Sequence, residues 1–144
     1  MTAEDIQAIV DDLASDASDV INGYDGTDPA AGPTSEDYAV AGVDVSGATD
    51  EQIAALNEAV AASDDADLTA EELQAVLDGI LAEDANNVIN GYDGTDGTTA
   101  PTAEDYAEAG VTGVSDEALD AVNAAVAASD NDDMTAEDIQ ATVD

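Results

Sequence analysis

From Thr2 onward, apolar residues recur at alternating steps of four and three: Ile6, Val10, Leu13, Ala17, Val20 and Tyr24. At 3.6 residues per turn this spacing lays them along one face of an α-helix. Asp11, Asp12, Ser15, Asp16, Ser18 and Asp19 take the opposite face. Thr2 predicts the N-cap, and Glu4 and Asp5 stand where the helix dipole favours negative charge. Asn22-Gly23 predicts the end, in the left-handed conformation that glycine adopts cheaply. A first helix is therefore expected over residues 3–22.

The stretch from Tyr24 to Pro33 is dense in Gly, Pro, Asp and Thr and reads as a loop. Thr34 caps a short second helix that carries Tyr38 and Ala41 and stops at Gly42, with Val43 folding back as the apolar partner of a glycine cap. Thr49 caps a third helix whose buried face is Ile53, Leu56 and Val60. Ser63-Asp-Asp-Ala-Asp67 breaks that helix.

The grammar then repeats. Thr2-Ala-Glu-Asp-Ile-Gln7 returns as Thr69-Ala-Glu-Glu-Leu-Gln74 and as Thr135-Ala-Glu-Asp-Ile-Gln140, at spacings of 67 and 66 residues. Leu73, Leu77, Ile80, Leu81, Val88 and Tyr92 form the second long stripe. A loop runs from Tyr92 to Pro101, a short helix from Thr102 to Gly110 around Tyr106, and a further helix starts at Ser115 with Leu119, Val122 and Val126. The tyrosines pair as 24 with 92 and 38 with 106, and the shift in spacing falls at the longer loop Val43-Asp-Val-Ser-Gly47. Length changes confined to loops mark a modular array. The expected fold is all-α, two tandem three-helix-bundle repeats plus the start of a third: 1–67, 68–134 and a partial first helix over 135–144. At about 66 residues each core is small. The Asp-rich breaks favour separate bundles in line over a solenoid with shared surfaces. The third opening docks either on the last helix of the second unit or on the next molecule, giving head-to-tail self-association.

Charge narrows the function classes. The 144 residues include 36 Asp and Glu and no Lys, Arg or His, for a formal net charge of -36. No side-chain salt bridge is possible. A field of this sign repels nucleic acid and anionic membrane surfaces. The 44% hydrophobic content, placed periodically, argues for a folded chain despite 3% aromatics. There is no Cys, so disulfide and thiolate chemistry are absent. No apolar run approaches the roughly 18 residues a membrane span needs, and the start lacks a basic segment followed by an apolar one, as a signal peptide would have. Without His, Cys, Lys or Arg there is no nucleophile–base pair, Schiff base, usual zinc site or cationic oxyanion clamp. An enzyme is not expected.

The remaining candidate chemistry is hard-cation binding. Asn22-Gly-Tyr-Asp-Gly-Thr-Asp28 recurs as Asn90-Gly-Tyr-Asp-Gly-Thr-Asp96. Asp25, Asp28, Asp93 and Asp96, with a hydroxyl and Gly-flanked carbonyls, are oxygen ligands of the kind Ca²⁺ takes. The competing reading is a polar turn that uses Asp and Gly for backbone reasons. The loop lacks the alternating acidic positions and the twelfth-place Glu of an EF-hand. The breaks Ser63–Leu68 and Ser129–Met134 resemble half of such a loop, but put Ala66 or Asp132 where the sharp turn needs Gly.

Asp-Tyr-Ala-Glu-Ala-Gly-Val-Thr-Gly-Val114, followed by Ala-Leu-Asp-Ala-Val-Asn-Ala-Ala-Val126, resembles the helical repeats of giant bacterial surface adhesins of the RTX-type, type I secreted class. So does the Asp-Gly-Thr-Asp loop that feeds a Pro-Thr-Ala-Glu-Asp-Tyr helix start. The resemblance implies an extracellular, cell-surface location and a structural spacer role, with neighbouring repeats of the same chain as partners. The Gly-Val-Ser-Asp-Glu-Ala-Leu run is more faintly similar to three-helix albumin-binding modules. Two other readings stand beside the spacer: a small helical binding module, protein-binding or Ca²⁺-responsive, and an acidic cytoplasmic protein of a halophile.

Overall fold

The computed structural model describes residues 2–63, 67–95, 99–129 and 134–143. Among these residues the chain is all-helical: α1 (Ala3–Asn22), a 3₁₀ turn (Pro29–Ala31), α2 (Ser35–Val40), α3 (Asp50–Ala62), α4 (Ala70–Asn90), α5 (Ala103–Glu108), α6 (Asp116–Ala128) and α7 (Ala136–Val143). Among the described residues no helix is long and apolar enough to cross a membrane. Two compact units divide at Ile80/Leu81, inside α4, so that α4 gives its first half to one unit and its second half to the other.

Capping places the helix starts. Thr2, Thr34 and Thr102 each accept from the amide three residues on, and Asp5, Asp37 and Asp105 reach back to the amide of the cap. Thr49 does the same with Gln52, and Thr69 and Thr135 with Glu72 and Asp138. This reciprocal pairing satisfies two amides that the first turn leaves open. The short helices end as expected. Gly42 adopts φ +96°, and the amide of Val43 donates back to Tyr38 O at 2.9 Å. Val43 is thereby buried against its own helix. Val111 repeats the arrangement in the second unit, bonding Tyr106 O at 2.8 Å.

The first unit's core is Ala17, Ile21, Pro33, Tyr38, Val43, Ile53, Leu56 and Val60, with Leu73 and Leu77 from α4. α2 lies against α1. In the second unit Ala85, Ile89, Tyr106, Ala109, Val111, Val122, Val126, Met134 and Ile139 form one cluster, with Val114, Leu119, Ala136 and Val143 packed on it. α7 lies against α6 and so closes this unit locally.

Two expectations need correction. The α1 stripe is not buried along its length: Ala17 is buried, but Ile6 (51% exposed), Val10 (50%), Leu13 (54%) and Val20 are open. Ile21, one position from the expected Val20, carries the core contact. Leu73 and Leu77, at the matching positions of α4, are by contrast buried. The second correction concerns Gly23, which is right-handed (φ -86°, ψ -4°), its amide bonded to Asp19 O. The left-handed turn comes three residues later, at Gly26.

Candidate functional site

Each unit is held by a buried relay that starts on the short helix. Tyr38, fully buried on α2, donates its hydroxyl to Asn57 Oδ1 on α3 at 2.7 Å, and Asn57 Nδ2 donates to Pro33 O at 3.0 Å. Tyr106 does the same to Asn123 at 2.6 Å, and Asn123 to Pro101 O at 2.9 Å. Asn123 is the buried polar residue of the described chain, and every buried side-chain N or O atom described has a hydrogen-bond partner. Burial pushes the Tyr106 hydroxyl up to about 12, with the charges of Tyr92 and Asp105 adding to it. Burial raises Tyr38 likewise, helped by Tyr24 and Asp37. Both phenols are therefore neutral donors at neutral pH.

A second set of bonds ties each unit's ends together. Asn22, at the end of α1, accepts from the amide of Leu68 (3.0 Å), just before α4. Asn90 accepts from the amide of Met134 (3.0 Å) and donates to its carbonyl (3.4 Å). Gln74 takes the amide of Asp44 (2.7 Å), and Gln140 takes that of Thr112 (2.8 Å). None of Asn22, Asn57, Asn90, Asn123, Gln74 and Gln140 stands out in the hydropathy pattern as a structural bond. The signal was their recurrence at matching places in both copies, above all an Asn directly after Leu56 and after Val122 in otherwise apolar or Ala-rich helices.

The candidate cation loops are turns packed onto helices. Asp25 Oδ1 accepts from the Thr27 hydroxyl at 2.6 Å and from its amide at 3.0 Å. These bonds, the hydroxyl's first, hold the Asp25 carboxyl below the usual carboxylate range. Asp93 engages Thr95 in the same way, at 2.7 and 2.9 Å. Asp28 caps the 3₁₀ turn through the amide of Ala30 (3.1 Å). Asp96, and with it half of the second loop's expected ligand set, lies outside the described residues, as do 64–66 and 130–133 of the two Asp-rich breaks.

Gly26 is required twice over. Its φ of +73° is left-handed, and a Cβ there would stand 2.9 Å from Ala61 Cβ on α3. Gly94 and Ala127 repeat this at 3.0 Å. Beside the first loop lies an open cleft of about 390 Å³, lined by Tyr24, Ala54, Asn57, Glu58 and Ala61. Its counterpart by Tyr92 is about 460 Å³ and carries Asp120 and Asp93. One ring face and carboxylates suit neutral or cationic groups and repel anions. Among the described residues, no group of three or more Asp or Glu side chains converges as a metal-holding cluster. No family model, curated protein or solved structure matches the chain.

Proposed function

We propose that this chain is a non-catalytic spacer from an extracellular bacterial surface protein, built of tandem three-helix units that hold distance through mutual repulsion. One observation carries the reading. The second copy reproduces the interior bond for bond, Tyr106–Asn123–Pro101 matching Tyr38–Asn57–Pro33, and the exposed bonds it repeats, such as Asp93–Thr95 after Asp25–Thr27, are local turns and caps. Every described carboxylate reaches water, since no described Asp or Glu is buried. A module selected to recognise a partner repeats a surface constellation of mixed chemistry, whereas a module selected to occupy length repeats its core and keeps its exterior hydrated. A charge of -36 without a single cationic side chain resists collapse of one unit on another. It also leaves no Lys or Arg for trypsin-like proteases to cut after.

Concatemers of two, four and eight copies test this by small-angle scattering. A spacer's radius of gyration grows nearly in proportion to copy number. A chain that collapses grows by about the 0.38 power, as compact proteins do, and that result would remove the spacer reading.

A calcium-responsive linker is the second reading, favoured by the ionised Asp25 carboxylate on an exposed loop shared with Asp28. Parallel Ca²⁺ and Mg²⁺ titrations of the melting temperature separate the two. A shift at micromolar Ca²⁺ that Mg²⁺ does not reproduce supports specific sites; equal shifts mean screening alone.

A further inference from the structure

The exposed half of α1 has two counterparts in the same chain, and both are buried. Ile6 and Val10 match Leu73 and Leu77 of α4, which are 2% and 0% exposed, and they match Ile139 and Val143 of α7, of which Ile139 is 0% exposed and Val143 packs on the second unit's cluster. Gln7 matches Gln74 and Gln140, each of which holds a backbone amide across its unit. Gln7 itself bonds Asp11 on its own helix. The match with α7 is literal: Thr2 to Ala8 and Thr135 to Ala141 are the same seven residues. The capping bonds match as well, Thr2 with Asp5 and Thr135 with Asp138.

From this identity we infer that the first half of α1 is a donor helix for a second copy of this chain, where it takes the place of α7 in the second unit. The cluster that buries Ile139 would accept Ile6 in its place, and the amide of Thr112 would bond Gln7 as it now bonds Gln140. Acidic residues pose no new conflict there, because Glu4 and Asp5 fall where Glu137 and Asp138 already stand exposed. The donor also brings more apolar surface. It carries Ile9 where α7 has Thr142, and Leu13 a turn beyond the position of Val143. Two forces oppose the exchange. α7 competes from within its own chain, with the millimolar effective concentration of a short tether. The copies also repel, so association should strengthen with salt as the screening length falls from about 10 Å at 0.1 M to about 3 Å at 1 M. The donor face on α1 and the acceptor face on α6 are different surfaces, so each contact is heterologous, forming a ring where the rotation closes and a head-to-tail filament where it does not.

Sedimentation velocity of the full chain in about 1 M salt tests the exchange with three proteins. Ile139→Asp expels α7 from its site, and this variant should self-associate at least about tenfold more tightly than the unsubstituted chain, the order of gain expected when a tethered competitor is removed. Adding Ile6→Asp and Val10→Asp, both at exposed positions, should return it to monomer. A folded Ile139→Asp chain that stays monomeric, or an association that survives the α1 substitutions, overturns the inference. If Ile139→Asp loses its helical signal, the decision passes to a nitroxide on Ala141→Cys, an exposed site in a chain with no other cysteine. Adding a peptide of residues 2–14 should then sharpen the spectrum as α7 is displaced, and the same peptide with Ile6→Asp and Val10→Asp should not. An unchanged lineshape up to about 1 mM peptide, the scale set by the tether, overturns it equally.

Discussion

Tyr106 shows how much of each unit rests on single polar atoms. Its hydroxyl fills an acceptor of Asn123, whose amide in turn fills Pro101 O, and all three residues are buried. Tyr106→Phe keeps the ring's packing but leaves Asn123 Oδ1 without its donor. The expected loss is about 1–3 kcal/mol, the cost of a buried group left unpaired, read from chemical denaturation. A loss below about 0.5 kcal/mol, the level of an ordinary surface change, would mean that water replaces the hydroxyl. Gly26→Ala meets a left-handed φ and the Ala61 methyl together, and should cost at least the roughly 1–2 kcal/mol of the backbone term alone. Tyr38 and Tyr106 were legible because each recurs at the same place on a short capped helix of the repeat. Asn57 and Asn123 were not, since an Asn on a helix reads as surface until a donor is placed opposite it.

At the scale of elements, α1 and α4 carry the same pattern with different consequences. Leu77→Ala should cost about 2–5 kcal/mol, as buried leucines do. Val10→Ala, at the aligned position, should stay within about 0.5 kcal/mol, as exposed substitutions do. Thermal melts of the two single variants make the comparison, and equal losses would mean that Val10 is buried in solution. Helix starts were readable because capping is local: Thr followed three residues on by Asp, Glu or Gln satisfies its own amides. Which half of a long helix is buried was not readable, because periodicity defines a face and says nothing of what lies opposite it. α4 also has one more residue than α1, so the positions after the insertion turn by about 100° relative to those before it.

For the molecule as a whole, like charge is the largest unbalanced force. The melting temperature should rise between low and molar salt, because screening relieves repulsion among the carboxylates; a flat response would show repulsion already compensated. Acid acts in two opposed ways. Partial burial, with Glu104, Asp105 and Asp84 nearby, raises the Glu108 carboxyl, so the folded state binds this proton more readily than the unfolded one and stability grows as pH falls through its folded pKa. Asp5, Asp25, Asp44, Glu72 and Asp138 are lowered by hydrogen bonds from Thr2, Thr27, Ser46, Thr69 and Thr135. Their contribution is complete above the unfolded values of 3.8 for Asp and 4.5 for Glu and is lost below them. Stability should therefore peak near pH 5 and fall steeply below about 4. Melts across pH 3–8 test this, and a maximum at pH 7 or above would contradict it.

The order of helices, their caps, the glycine turns at Gly42 and Gly110 and the acidic exterior follow from residues a few positions apart, where local sterics and hydrogen bonding suffice. Only the tertiary structure decided how the repeated opening Thr-Ala-Glu-Asp-Ile-Gln is used. In α7 it closes the second unit, with Ile139 buried, and in α1 the same letters leave Ile6 in water. Tertiary structure also set the glycine of Asp25-Gly-Thr against Ala61. Burial depends on which surface comes opposite, and the chain brings those surfaces from 19 to 46 residues away: Tyr38 to Asn57, Asn22 to Leu68. Identical local sequences cannot encode that difference.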